Sequence, residues 1–116
     1  MERFDESITE GKRAVELDPL LLIVNLELGA NYHYARQPDQ AIAQLGKAID
    51  LDKNWYLAHM VLCQVYEAKG QLSEAVNECQ KARALNDDPL VMAFLARAYA
   101  TSGKKDEAMK LLGQMK

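Results

Sequence analysis

Apolar and small residues recur along this chain at intervals of three and four, with polar residues between them. Between residues 39 and 52 the apolar positions are Ala41, Ile42, Leu45, Ala48, Ile49 and Leu51, and the polar positions opposite are Gln40, Gln44, Lys47 and Asp50. This spacing places the apolar residues on one stripe of an α-helix. The same pattern predicts seven helices, over about residues 4–17, 20–35, 39–51, 55–69, 73–85, 89–102 and 105–115. No alternating pattern typical of β-strands competes with them.

The turn residues agree with these helix limits. Gly70 and Gly103 each follow a helical run, where a left-handed C-cap favours glycine. A helix start with an aspartate N-cap and a proline in the first helical position is predicted twice, at Asp18–Pro19 and Asp88–Pro89. Pro38 marks the corresponding bend between the second and third predicted helices.

The helical pattern repeats at offsets of 34 and then 33 residues. The first repeated phrase is a leucine, a small residue and a tyrosine, in Leu28-Gly29-x2-Tyr32, Leu62-Cys63-x2-Tyr66 and Leu95-Ala96-x2-Tyr99. A second phrase runs in phase with the first and begins at Ser7, Ala41, Ala75 and Ala108. A period of this length is typical of stacked helical hairpins, none of which can bury its apolar face alone.

These phrases resemble the tetratricopeptide repeat, a 34-residue helix-turn-helix unit that reads W-x2-L-G-x2-Y, then A-x3-F, then a closing proline. The first phrase appears as Asn25-x2-Leu28-Gly29-x2-Tyr32, His59-x2-Leu62-Cys63-x2-Tyr66 and Met92-x2-Leu95-Ala96-x2-Tyr99. The second appears as Ser7-x3-Gly11, Ala41-x3-Leu45, Ala75-x3-Cys79 and Ala108-x3-Leu112. The chain departs from the family in lacking tryptophan at its usual place, and Lys53 and Asp87 stand where proline is commonest.

The resemblance implies an all-α, right-handed α-α superhelix of the tetratricopeptide kind. A half unit over residues 1–21 would precede units over residues 22–55, 56–88 and 89–116. Gly29, Cys63 and Ala96 would lie where the two helices of a unit approach most closely, and the three repeated tyrosines would belong to the core. Both ends fall on the second helix of a unit, so we expect a longer parent protein and two stripes without partners, formed by Phe4, Ile8 and Val15 and by Met109, Leu112 and Met115.

In this family the first helix of each unit lines a concave groove that holds an extended or helical peptide. Carried over by position, the groove residues would be Ile23, Leu26, Ala30, His33, Tyr34, Leu57, Met60, Gln64, Glu67, Leu90, Ala93, Arg97 and Thr101. Their apolar majority implies a largely apolar peptide or helix as ligand. The alternative is that the rest of a parent protein, or a second copy of this chain, covers the same residues.

A groove of another kind in this family clamps the C-terminal carboxylates of chaperones with lysine, asparagine and arginine. The corresponding positions here carry Leu26, Ala30, Val61, Leu90 and Phe94. None of these side chains donates a hydrogen bond to a carboxylate. We therefore predict that a carboxylate clamp is absent.

Composition narrows the choice of partners. The 116 residues carry a net charge of -3 and no cluster of lysine and arginine, which argues against nucleic acids and anionic membrane surfaces. The first residues lack the apolar segment of a signal peptide, and the longest apolar run, residues 20–24, is too short to span a membrane. Cys63 and Cys79 lack Cys-x-x-Cys spacing, so we expect free thiols and a reducing, cytoplasmic location.

Catalytic chemistry finds little support in the sequence. His59, Cys63 and Cys79 could converge as zinc ligands, but each falls at an interior packing position and no fourth ligand is near in sequence. No serine has the sequence context of an activated nucleophile. We therefore expect neither enzyme activity nor a metal or cofactor, and we predict a protein–protein interaction scaffold. A structural or oligomerisation segment of a larger regulatory or signalling protein is the alternative, and a ligand sensor or metal-dependent enzyme is a third possibility.

Overall fold

The computed structural model describes residues 2–114, with side chains described from Asp5 onwards. Over this range the chain forms seven α-helices and no strand, which confirms the all-α prediction. The helices are α1 (Glu2–Leu17), α2 (Leu22–Tyr34), α3 (Pro38–Leu51), α4 (Tyr56–Lys69), α5 (Leu72–Leu85), α6 (Pro89–Thr101) and α7 (Lys105–Gln114). The predictions for the side chain of Phe4 and for Met115 lie outside the described part.

The helices are grouped in two compact units, the first ending at Asn54 and the second beginning at Trp55. In the first unit, α1 packs on α2 and α2 packs on α3. In the second, each helix packs on the next, and α4 also contacts α6. Each pair α2/α3, α4/α5 and α6/α7 is joined by only a few residues, so it forms a helical hairpin.

The same turn ends the first helix of each hairpin. Arg36, Gly70 and Gly103 adopt left-handed backbone conformations, with φ of 62°, 85° and 86°. In each turn the next residue's amide donates to a carbonyl in the last helical turn, as from Gln37 to Tyr32 at 2.8 Å. The two glycines were predicted in this role. Arg36 was not, because arginine gives no sequence signal for a conformation that glycine adopts at lower cost.

The predicted start of α6 is confirmed. The Asp88 carboxylate accepts a hydrogen bond from the backbone amide of Leu90 at 2.9 Å, and Pro89 holds the first helical position. This arrangement satisfies one of the amides that have no partner within the helix.

The predicted start of α2 at Asp18–Pro19 is wrong. Pro19 lies in a turn, and α2 begins at Leu22 without a side-chain cap. The buried amide of Asn25 explains the difference, since its Nδ2 donates to the carbonyls of Pro19 at 3.1 Å and Leu21 at 2.9 Å. These bonds join α2 to the carbonyls of the preceding turn.

Small residues set the distance between helices in the first unit. A Cβ atom added to Gly29 would lie 2.7 Å from Cγ of Leu45 on α3, and one added to Gly11 would lie 2.9 Å from Cδ1 of Leu28 on α2. Leu45 is fully buried and cannot move into solvent. The expected close approach at Gly29 is therefore confirmed.

Cys63 and Cys79 form a disulfide bond between α4 and α5, so the prediction of free thiols is wrong. Their Cα atoms are 5.4 Å apart, within the range that a disulfide requires. Cys63 occupies the repeat position of Gly29, and Cys79 occupies that of Leu45. The repeat therefore brings the two cysteines together although 16 positions separate them in sequence.

The described core of the second unit surrounds this bond. It is formed by Cys63, Ala75, Val76, Cys79, Met92, Leu95, Ala96, Ala98 and Leu111, with Tyr66, Phe94 and Tyr99 packed against it. Tyr32 is likewise buried in the first unit. The prediction that the repeated tyrosines belong to the core is confirmed for Tyr32, whereas Tyr66 and Tyr99 are only partly buried at the edge of the core. Ile8 of α1 is also buried, so the prediction that its stripe lacks a partner is wrong for this residue. Met109 and Leu112 of α7 are exposed.

Two glycines in the first unit allow a matched test of close packing. Replacement of Gly29 by alanine adds a methyl group against Leu45, and the overpacking should lower the free energy of unfolding by about 1–3 kcal/mol. The higher helix propensity of alanine should offset about 1 kcal/mol of this loss. Replacement of Gly46 by alanine meets no atom within 4 Å and should give the propensity gain alone. Chemical denaturation should therefore place Gly29→Ala about 1–3 kcal/mol below Gly46→Ala in stability. Equal stabilities would contradict the close approach.

The left-handed turn positions give a second matched pair. The Gly70→Ala change should destabilise the chain by about 1 kcal/mol, because a Cβ atom disfavours positive φ although it would meet no neighbour. The Arg36→Gly change should stabilise it by up to about 1 kcal/mol for the converse reason. Thermal unfolding of both variants should give shifts of opposite sign. Shifts of the same sign would show that side-chain contacts, not backbone conformation, dominate these turns.

Candidate functional site

One stripe of α2 carries the groove residues predicted for the first unit. Ile23 is 45% exposed, and Tyr34 is more exposed still. Leu26, Ala30 and His33 are half-buried. Their spacing of three and four residues keeps all five on one side of the helix, which we call the α2 face. The rings of His33 and Tyr34 lie with their centroids 5.5 Å apart at its C-terminal end.

His33 is the residue of the α2 face whose pKa is shifted by its surroundings. Partial burial lowers the pKa of His33 below its ordinary value of 6.5, because the charged imidazolium loses hydration. The α2 face therefore presents a neutral ring at neutral pH. This agrees with its apolar composition.

In the second unit, α4 and α6 lie side by side and together carry the remaining predicted residues. The residues of this α4/α6 face are Leu57, Gln64, Glu67, Leu90, Ala93 and Arg97. Its apolar end is formed by Leu57, which is half-buried, and Leu90, which is 56% exposed. Ala93 is exposed beside them and adds little bulk.

Met60 was predicted to face the groove, but it is only 6% exposed. It packs with Ala82 of α5 and Val91 of α6, against the partly buried Leu57 and Phe94. The prediction that Met60 is an exposed groove residue is therefore wrong. Its long, flexible side chain fills the space where three helices meet.

The other end of the α4/α6 face is polar. Nε of Arg97 donates to Oε1 of Glu67 at 2.8 Å, which links α6 to α4. The Glu67 side chain is mostly buried, whereas that of Arg97 is largely exposed. Gln64 is half-buried, and Thr101 is exposed, with its hydroxyl bonded to the carbonyl of Arg97 at 2.8 Å. The face therefore changes from apolar to charged along its length.

Sequence reasoning missed a pair of positions that repeats in every hairpin. In the first, Nε2 of Gln44 donates to Oδ1 of Asn25 at 2.6 Å, so Gln44 is buried and not on the polar side that was predicted. In the second, His59 Nδ1 lies 2.7 Å from Oε2 of Glu78. The matching positions in the third hold Met92 and Leu111, both buried in the apolar core. The sequence does contain a signal for this pair of positions, because the two partners are 19 residues apart in each hairpin.

The residues considered as zinc ligands cannot act together. Cys63 and Cys79 are bonded to each other, and His59 contacts Glu78. Among residues 2–114, no group of three or more histidine, cysteine, aspartate or glutamate side chains is arranged to hold a metal ion.

An open hollow of about 580 Å³ lies between α5 and α6, away from the α4/α6 face. Its polar side chains are hydrogen-bonded to one another, to nearby side chains or to a backbone amide. Arg83 donates to Gln114 at 2.8 Å and lies 3.5 Å from Asp87, while Gln80 donates to the Tyr99 hydroxyl at 2.8 Å. A ligand would have to displace these bonds, so the α2 and α4/α6 faces are the stronger candidates.

Comparison with known proteins identifies the family. The sequence profile of the tetratricopeptide repeat matches residues 32–91, which is more than half of the chain. This chain belongs to the tetratricopeptide repeat family. The resemblance seen in the sequence is therefore confirmed.

Similar proteins of known sequence or structure are longer than this chain. An uncharacterized protein of Haemophilus influenzae is 38% identical over 61 residues, a match that covers 53% of this chain and 34% of that protein. MamA has a solved structure with a TM-score of 0.85 and 26% identity, covering 97% of this chain and 66% of that one. TTC0263, a thermophilic tetratricopeptide protein of Thermus thermophilus, gives 0.88 at 23% identity, covering 98% and 64%.

The tetratricopeptide fold is a protein–protein interaction scaffold, and this chain has that fold. Proteins of this family are generally non-catalytic. None of the helices in the described part of the chain has the length and hydropathy needed to cross a bilayer.

The lowered pKa of His33 predicts acid sensitivity of the first unit. The unfolded chain binds a proton near pH 6.5, and the folded chain binds it only at lower pH, so stability is retained above pH 6.5 and falls as the pH drops through the folded pKa. The His33→Gln variant should lose less stability than wild type between pH 7.5 and 5.5 in denaturant unfolding. Identical pH dependences would contradict a stability role for His33.

Proposed function

We propose that this chain binds largely apolar peptides or helices, through the α2 face in the first unit and the α4/α6 face in the second, without catalysis. The observation that carries the proposal is the exposure of apolar side chains on the first helices of the hairpins, where a folded chain has no internal use for them. Ile23 and Leu90 hold equivalent repeat positions and are both about half exposed. Exposed apolar residues that recur in register mark an interaction surface better than scattered ones do.

The half-buried neighbours support this proposal. Leu57 rests on the buried cluster around Met60, so its exposed part is held in a fixed position. A ligand side chain placed between Leu57 and Leu90 would remove apolar area from water without first ordering the site. Preorganisation of this kind lowers the entropic cost of binding.

The polar end of the α4/α6 face supports a ligand that is apolar on one part and polar on another. Arg97 is held by Glu67, yet most of its side chain stays in solvent and retains donors for a second acceptor. This differs from a carboxylate clamp, whose absence stays a prediction from Leu26, Ala30, Val61, Leu90 and Phe94. An amphipathic peptide with apolar residues near Leu90 and a polar residue near Arg97 fits this gradient.

A second candidate function is a structural or oligomerisation segment of a larger protein. Leu17 is 82% exposed and Met109 is 70% exposed, and neither belongs to the α2 or α4/α6 face. Large apolar side chains with this exposure favour contact with a second copy or with further helices. The two candidates use different residues and can be separated by mutation.

Two double variants test the two surfaces. One carries Ile23→Asp with Leu90→Asp, and the matched control carries Leu17→Asp with Met109→Asp. Peptides enriched from a random twelve-residue display library on wild type would serve as probes. We expect apolar peptides whose affinity falls at least about 10-fold, or about 1.4 kcal/mol, in the first variant and stays unchanged in the control.

Circular dichroism and light scattering complete this experiment. Both variants should retain the helical spectrum of wild type, since all four side chains are substantially exposed. Enriched peptides that bind both variants equally would contradict the proposed faces. Concentration-dependent self-association of wild type that only the Leu17→Asp, Met109→Asp variant abolishes would favour the structural function.

A further inference from the structure

We propose that the Cys63–Cys79 disulfide is an oxidation-dependent cross-link that holds the α4/α5 hairpin closed and thereby keeps α4 in place beneath the α4/α6 face. This inference rests on the proposed function in one respect only, because the surface that the cross-link affects is the proposed α4/α6 binding face. It makes the stability of the second unit depend on the thiol redox state of the protein's surroundings.

Comparison of equivalent positions shows what the bond replaces. In the α2/α3 hairpin, Gly29 and Leu45 fill the closest approach by van der Waals packing alone. In the α4/α5 hairpin the same two positions hold cysteines whose Cα atoms are 5.4 Å apart. The fold therefore needs helix contact at this place but does not need a covalent bond. The α4/α5 hairpin has an additional constraint that the α2/α3 hairpin lacks.

Burial determines when the bond can form or break. Cys63 and Cys79 are buried in the described core, so an external thiol cannot reach either sulfur while the hairpin is closed. Thiol–disulfide exchange requires direct attack on a sulfur atom. Exchange is therefore limited to molecules in which α4 has separated from α5.

A small disulfide such as oxidised glutathione is the oxidant that accepts the two electrons lost by the cysteines. The thiolate of one cysteine attacks the oxidant and releases one glutathione thiolate, which leaves a mixed disulfide. The second cysteine, as thiolate, then attacks the protein sulfur of that mixed disulfide and releases the other glutathione. The two cysteines lose two electrons and two protons, and the oxidant becomes two thiols.

The link from this bond to the α4/α6 face runs through the cluster of Met60, Ala82 and Val91. This cluster joins α4, α5 and α6, and Leu57 packs against it. Separation of α4 from α5 would remove Ala82 from the cluster and release Leu57. Closure of the hairpin is therefore a condition for the geometry of that face.

The first experiment measures the bond by alkylation and mass spectrometry of the full chain. After equilibration with oxidised glutathione, denaturation and iodoacetamide should add no label, whereas prior reduction in denaturant should allow two labels. Dithiothreitol should reduce the native chain at least about 10-fold more slowly than the denatured chain, because access limits exchange. Two labels after oxidation, or equal reduction rates in the two states, would overturn the proposal.

The second experiment measures thermal unfolding with and without reductant. Reduction should lower the Tm of the wild-type chain by about 10 °C or more, as expected for loss of a short disulfide loop in a small domain. A Cys63→Gly, Cys79→Leu variant copies the Gly29 and Leu45 pair and should show no response to reductant. A Cys63→Ala, Cys79→Ala variant serves the same purpose should the first not fold.

A wild-type Tm that does not change on reduction would overturn the proposal. An equal shift in the cysteine-free variant would overturn it as well, since the bond would not be its cause. Neither experiment contains a peptide ligand. Failure of peptide binding would therefore count against the proposed function and not against the cross-link.

Discussion

The distance between the two helices of each hairpin is the constraint on which the rest of this structure depends. It is set where the leucine-containing phrase of the first helix meets the second helix. Gly29 admits the side chain of Leu45, Cys63 is bonded to Cys79, and Ala96 is buried in the core of the second unit. A larger residue at these places would separate the helices, expose the buried alanines and leucines, and shift the first helices whose outer surfaces carry the proposed binding residues.

A second contact between the two helices of each hairpin is made by different types of side chain in different hairpins. Asn25 with Gln44 forms a neutral hydrogen bond, His59 with Glu78 forms a pair that can carry charge, and the third hairpin uses apolar residues there. All buried side-chain nitrogen and oxygen atoms among the described residues have partners. The family's tryptophan position is held here by Asn25, His59 and Met92, and the first two are hydrogen-bonded to different partners. The fold requires that this contact be filled and that its buried polar atoms be hydrogen-bonded, but it does not require one particular residue type.

Function in such a scaffold is carried by surface residues that the fold leaves free to vary. The α4/α6 face combines an apolar end near Leu90 with an ion pair between Arg97 and Glu67, and it is held from below by buried residues around Met60. A scaffold of this kind determines how a peptide can lie but not which peptide it is.

The sequence by itself determined the helices, their hairpin order and the family, because these follow from spacing that is local and repeated in register. The residues of the proposed faces come from the family resemblance by repeat position, and helical periodicity places those of one helix on a shared side. Only the tertiary structure decided which of those residues stay exposed, and it buried Met60 and Gln44 because their neighbours come from other helices. The disulfide was missed for the same reason, although Cys63 and Cys79 align with Gly29 and Leu45. The repeat register aligns such positions, but the packed tertiary structure sets the helix separation at which their side chains meet.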